Sequence, residues 1–160
     1  MTRIATSVPH SIETFASVLQ AQGLVEALRV LNRKVPHRFT GYFTFDPPTL
    51  VNHALVDSWN SSADPLDPMP IEQTFCGRID VTGEAFTTGS AAADPRLHGH
   101  HLAHNAVQSY CGVVVRDKSG AALGTLCHWD TKPCDFTSTT EQELEEAARL
   151  LTSTATIGQT

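Results

Sequence analysis

The chain has 160 residues, 41% of them hydrophobic and 18% charged, with 11 Lys and Arg against 17 Asp and Glu for a formal charge of −6. A chain of this length can bury roughly two-thirds of its unfolded surface around one core, so a single domain over 1–160 is expected. The acidic balance, a pI of about 5.7 and the lack of a basic stripe argue against a nucleic-acid partner.

No apolar run approaches the ~18 residues of a membrane span, and the first residues lack a signal-peptide core. A cytoplasmic protein with reduced thiols is therefore expected. Cys76, Cys111, Cys127 and Cys134 show no CxxC pair and none of the usual zinc spacings.

In chain order, Ser11 reads as an N-cap opening a helix over 11–31. Ile12, Phe15, Ala16 and Leu19 share one face, and Leu24, Ala27, Leu28 and Leu31 share another about 100° away. A break is expected at Gln22-Gly23, and Pro36 bars further helix. Residues 39–45 alternate as a strand, Asp46-Pro47-Pro48 turns, and 49–59 is the hairpin partner. Residues 60–70 read as a loop, 71–76 as a short helix leading into Asp80-Val81-Thr82-Gly83, and 84–88 as an edge strand. The stretch 90–105 is irregular. Ser138-Thr139-Thr140-Glu141 forms a capping box for an amphipathic helix over 139–155.

Between them lies 108–130, two apolar runs flanking Asp117-Lys118-Ser119-Gly120. Asp first and Gly fourth suit a type I turn whose Gly takes the left-handed bulge position. With Asp117 facing Ala121, backward pairing sets Val115 opposite Leu123, Val113 opposite Thr125 and Cys111 opposite Cys127. Alternation then groups Cys111, Val113 and Val115 with Thr125, Cys127 and Trp129, and Tyr110, Gly112 and Val114 with Leu126 and His128. Both faces are apolar, so these strands should be central and covered on both sides.

Tyr110-Cys111-Gly112, Gly120, Gly124-Thr125-Leu126-Cys127, Asp130, Pro133 and Phe136, with the segments TFCGRI and AADPRL, resemble the centre of a GAF domain of the bacterial signalling type. The resemblance covers about 12–157. It implies an α+β fold, with a central antiparallel sheet of about six strands, N- and C-terminal helices packed on one face, and a ligand pocket on the other. Cys134 stands where the family usually has Arg, and His128-Trp129 replaces two aliphatic residues.

The candidate ligand-binding residues are Asp94, Arg96, His98, His101, Cys127 and Trp129. Asp94-Pro95-Arg96 looks like the family's Asp-x-Arg segment above the pocket; the pair either holds a polar ligand or pins its loop to the sheet. In the first case Arg96→Ala weakens the ligand and spares the melting temperature; in the second the reverse holds. Trp59, Tyr110 and Trp129 either stack on a planar ligand or fill the core. His98, His100, His101 and His104 fall within seven residues, and His100, His101 and His104 could hold a metal or haem iron.

Cys76 carries the enzyme alternative. Stand-alone free-methionine-(R)-sulfoxide reductases resemble this chain and place a Cys-Gly at the comparable point. Their chemistry also needs a second thiol, in the loop before the central hairpin. That loop holds histidines here.

The expected function is a small-molecule-sensing or regulatory module without catalysis of its own. It would form a homodimer through the terminal helices and act through a separate effector protein. The sequence names no cofactor beyond a bound small molecule.

Overall fold

The computed structural model describes residues 10–97 and 107–153. In chain order they form α1 (His10–Gln22), α2 (Leu24–Asn32), β1 (Phe39–Asp46), β2 (Thr49–Asp57), β3 (Met69–Pro70), α3 (Phe75–Thr82), β4 (Phe86–Thr88), β5 (Ser109–Arg116), β6 (Ala122–Asp130) and α4 (Ser138–Ser153). The strands make one antiparallel sheet in the order β3-β2-β1-β6-β5-β4. The long strands β1, β6 and β5 are interior, as their two apolar faces require.

The helices divide by face. Phe15 of α1, Ala27, Leu28 and Leu31 of α2, and Leu144, Ala147, Ala148 and Leu151 of α4 form one core with Val56, Val113, Val115 and Leu126 of the sheet. Leu28, Leu126 and Leu144 are fully buried, and each such side chain contributes about 2–3 kcal/mol through burial. The helical break falls where the apolar stripe changes phase: Gly23 sits between α1 and α2 with its N–H on the Val18 and Leu19 carbonyls. α1 begins at His10, so Ser11 lies inside the helix and not at its cap. On the opposite face α3 packs Phe75, Cys76 and Ile79 against Phe43, Leu50, Tyr110, Cys127 and Trp129.

Three local expectations are corrected. Residues 71–76 are not one short helix. Ile71–Gln73 is a single 3₁₀ turn; Thr74 then caps α3, its hydroxyl accepting from the Gly77 N–H, and the helix runs on through Asp80, Val81 and Thr82 to Gly83. The capping box is displaced as well. Helix α4 already includes Ser138, the Thr140 N–H donates to the Thr137 carbonyl, and Glu141 accepts instead from the Thr87 hydroxyl at 2.8 Å. That contact ties α4 to the edge strand β4.

The third correction is the register of the central hairpin. The turn closes as its residues demand: Asp117 N–H bonds the Ala121 carbonyl at 2.9 Å, Gly120 N–H bonds Asp117 at 3.0 Å, and Gly120 has φ 92°. Arg116 then faces Ala122, but Val115 faces Gly124, which leaves Leu123 as an extra residue in a bulge. Beyond it Cys111 lies opposite His128, and Gly112 opposite Cys127. Cys111 and Cys127 therefore occupy opposite faces of the sheet and are not a cross-strand pair. Cys111, Val113 and Leu126 face the helices; Tyr110, Cys127 and Trp129 face α3.

A polar cluster is buried near the start of β1. Asn32 donates to the Thr40 hydroxyl at 2.9 Å, and that hydroxyl lies 2.6 Å from His128 Nδ1. His37 stacks on Phe136 at 3.7 Å, and its Nε2 lies 3.4 Å from the Cys134 carbonyl. Its Nδ1 has no partner among the described residues.

Candidate functional site

The face of the sheet opposite the terminal helices carries a cavity of about 420 Å³. Its walls are aromatic because β1 and β6 present alternate residues to the same side. Phe39 stacks on Trp129 at 5.2 Å, and Phe43 meets the same indole at 5.6 Å. Across the cavity Phe75 leans on Tyr110 at 5.2 Å. Leu50, Leu66, Met69 and Val107 add aliphatic lining, and Gln73, Thr74 and Thr131 are its polar members besides Tyr110 and the thiols. Leu66 is placed there by its N–H, which donates to the buried Asn52 side chain at 2.8 Å. No Asp, Glu, Lys or Arg is among the described lining residues.

The floor is a cluster of sulfur and hydroxyl groups. Thr125 donates its hydroxyl to Cys76 Sγ at 3.1 Å, and the Tyr110 hydroxyl lies 3.3 Å from the same sulfur. Cys127 belongs to the same cluster and lines the same cavity. All four cysteines are free thiols, but they differ in acidity. Burial pushes the Cys76 thiol up, yet the hydrogen bonds from Cys127, Thr125 and Tyr110 together bring it below the ordinary cysteine value. Burial raises the other three: Cys127 well above the ordinary value, with Cys76 adding to the effect, Cys111 to about 12, and Cys134 more mildly. The same burial, beside the two thiols, raises Tyr110. Cys76 is thus the sulfur best prepared to carry a negative charge.

The sequence candidates separate on this geometry. Cys76, Tyr110, Cys127 and Trp129 line the cavity. Trp59 does not: it is 73% exposed, with the Arg38 guanidinium over its ring at 3.9 Å and Arg38 paired to Asp57 at 2.7 and 2.8 Å. Asp94 and Arg96 are not among the lining residues either. They hold each other through Arg96 Nε and Nη2 contacts of 2.9 and 2.6 Å to the Asp94 carboxylate. Arg96 also reaches the Thr87 carbonyl at 2.7 Å and covers the Phe86 ring at 4.5 Å. The guanidinium holds the Asp94 carboxyl well below the usual carboxylate range. His98, His100, His101 and His104 lie outside the described residues. Among those described, no group of three or more His, Cys, Asp or Glu converges as a metal site would require.

Phe39, Phe43 and Phe75 are cavity residues that sequence reasoning assigned only to strands or a helix. The alternation in 39–45 was the available signal for the first two.

A latch role for Arg96 gives a direct expectation. Arg96→Ala removes a bidentate partner and a carbonyl contact, but Arg96 is half exposed and the ion pair is screened by water. The loss should be about 1 kcal/mol, or roughly 2–4 °C in melting temperature. A melting temperature unchanged by Arg96→Ala would remove the latch.

A six-stranded antiparallel sheet, helices of both chain ends on one face and a cavity under a short helix on the other define the GAF fold. Solved structures carry the same fold. The GAF domain of a phosphoenolpyruvate-protein phosphotransferase from Acinetobacter superposes with a TM-score of 0.74 at 13% identity, covering 99% of this chain and 96% of that one. The equivalent domain from Coxiella burnetii gives 0.67 at 15%, covering 94% and 95%. The free methionine-R-sulfoxide reductase of Neisseria meningitidis, solved with its substrate, gives 0.70 at 17%, covering 92% and 91%. No protein-family model and no curated protein matches the sequence. Among the described residues no helix is long and apolar enough to cross a membrane.

Proposed function

We propose that this chain is a small-molecule-sensing module whose ligand occupies the cavity between α3 and the sheet. The observation that carries the reading is the cavity itself: aromatic on two sides, with no charged side chain among its described lining residues, and floored by hydroxyls and thiols. Such a site suits a compact, largely apolar ligand with a hydrogen-bonding group at one end. Ligand binding would act through differential affinity. Cys127 and Trp129 on one side of β6 alternate with Leu126 and His128 on the other, so a shift of β6 is felt under α2 and α4. Those helices are the proposed contact for a second copy of the chain or a separate effector protein.

A neutral aromatic probe such as N-phenyl-1-naphthylamine tests this reading. It should bind the reduced protein and quench Trp129 in a Trp59→Phe background. Trp129→Ala should weaken binding by about 1–2 kcal/mol, through loss of stacking area. Absence of saturable probe binding would remove the cavity as the ligand site.

A further inference from the structure

The cavity floor has more chemistry than binding needs. Cys76 accepts from the Thr125 hydroxyl at 3.1 Å, has the Tyr110 hydroxyl 3.3 Å away and shares the cavity lining with Cys127. A sulfur that merely fills an apolar core has no use for two hydroxyls against it, because a neutral thiol is a weak acceptor. The arrangement suits a sulfur that becomes an anion. The second thiol beside it supplies what a single reactive cysteine lacks, a partner able to resolve an oxidised sulfur. Cys76 and Cys127 come from α3 and β6, distant in sequence, and meet only because the bulge at Leu123 turns Cys127 toward the cavity.

We propose that Cys76 and Cys127 are a redox pair that reduces an apolar organic hydroperoxide held in the cavity, closing to a disulfide as they do so. The inference rests on the cavity being the ligand site and names the class of its ligand. The apolar walls favour this class over a free amino-acid sulfoxide, whose ammonium and carboxylate would find no charged partner among the described lining residues.

The steps balance. The Cys76 sulfur attacks the terminal oxygen of the hydroperoxide, forming an S–O bond while the O–O bond breaks and its electron pair leaves on the alkoxide. The Cys76 proton ends on that alkoxide, relayed by the Tyr110 or Thr125 hydroxyl, giving the alcohol and a sulfenic acid on Cys76. Cys127 sulfur then attacks the sulfenic sulfur, and its proton departs with the hydroxyl as water. Two thiols are oxidised and the hydroperoxide is reduced by two electrons. An external thiol restores the pair. The disulfide would tie α3 to β6, the strand that underlies the helix layer, which makes oxidation itself a signal.

The test treats the reduced 160-residue chain anaerobically with cumene hydroperoxide, with hydrogen peroxide and free methionine sulfoxide as parallel arms. The intact mass should fall by about 2 Da, and peptide mapping should find Cys76 joined to Cys127, fastest with cumene hydroperoxide. Cys134→Ser should behave as the parent. Cys127→Ser should leave a sulfenic acid at Cys76 that dimedone traps; if that variant does not fold, the disulfide map of the parent decides. Retention of all four thiols, or a bridge that omits either residue, overturns the proposal. Preference for methionine sulfoxide overturns the substrate class. The naphthylamine probe is run on the same reduced sample. Probe binding without disulfide formation defeats the redox pair alone, whereas loss of probe binding defeats the cavity reading beneath it.

Discussion

Replacing Gly124 by alanine should destabilise the fold by more than about 3 kcal/mol, a loss of the size produced by severe overpacking at a buried site. Gly124 pairs with Thr44 across the β1–β6 ladder, and Phe43 pairs with Thr125 next to it. A β-carbon at 124 would strike the Phe43 carbonyl oxygen and stand 2.8 Å from Thr44 Cα and 2.9 Å from the Phe43 carbonyl carbon. All three are backbone atoms, so no side chain can swing away. Relief requires β1 and β6 to part, which breaks ladder hydrogen bonds and moves Phe43, a wall of the cavity. Urea unfolding checks this, with Gly120→Ala as the comparison. Gly120 has φ 92° but open space around it, so alanine there should cost only the left-handed strain of about 1–2 kcal/mol. Equal midpoints for the two variants would show that the strands separate at little cost.

Gly124 also shows what could be read from the residues and what could not. The sequence Gly124-Thr125-Leu126-Cys127 marks the centre of the fold, and the Asp117-to-Gly120 turn lies where its composition put it. The strand phase was hidden. Residues 121–124 are Ala-Ala-Leu-Gly, with no polar side chain to mark which residue leaves the ladder. The bulge at Leu123 therefore reversed the faces of β6 in the simple pairing. That one-residue slip put Cys127 on the same face as Cys111 and hid its meeting with Cys76.

Helix α3 was obscured differently. Thr74 and Gly83 are residue types suited to a helix cap and terminator, but Gly77 between them is a poor helix former. It is there because a β-carbon would meet the Ile71 carbonyl of the preceding turn. Asp94 and Arg96 were legible as a pair. Their partners were not, since Thr87 and Phe86 are joined to them only by the fold.

Acid should destabilise this protein through its buried histidines from about pH 6.5 downward. Burial lowers His128 from the ordinary 6.5 to about 3, with the neighbouring His37 adding repulsion. Burial also lowers His37, against the opposing pull of the Cys134 carbonyl and Asp130. The Thr40 hydroxyl lies 2.6 Å from His128 Nδ1 and already accepts from Asn32. Protonated His128 would have to place its charge in this buried cluster, away from water. Between pH 6.5 and 3 the unfolded chain binds the proton and the native chain does not, so stability is intact above 6.5 and falls as pH drops. The slope is about 1.4 kcal/mol per pH unit for one histidine, and the full His128 contribution is on the order of 4–5 kcal/mol. The carboxylates of Asp57 and Asp94, lowered by Arg38 and Arg96, add losses of the same sign only from about pH 5 downward. Urea midpoints taken between pH 7.5 and 4.5 should therefore begin to decline near pH 6.5, above the ordinary carboxylate range. His128→Asn keeps an oxygen acceptor for Thr40 and removes the titrating group, so its decline should be shallower by about one proton. A wild-type midpoint that stays flat from pH 6.5 to 4.5 would mean that His128 takes up its proton in the native fold, and that the Thr40 contact yields to it.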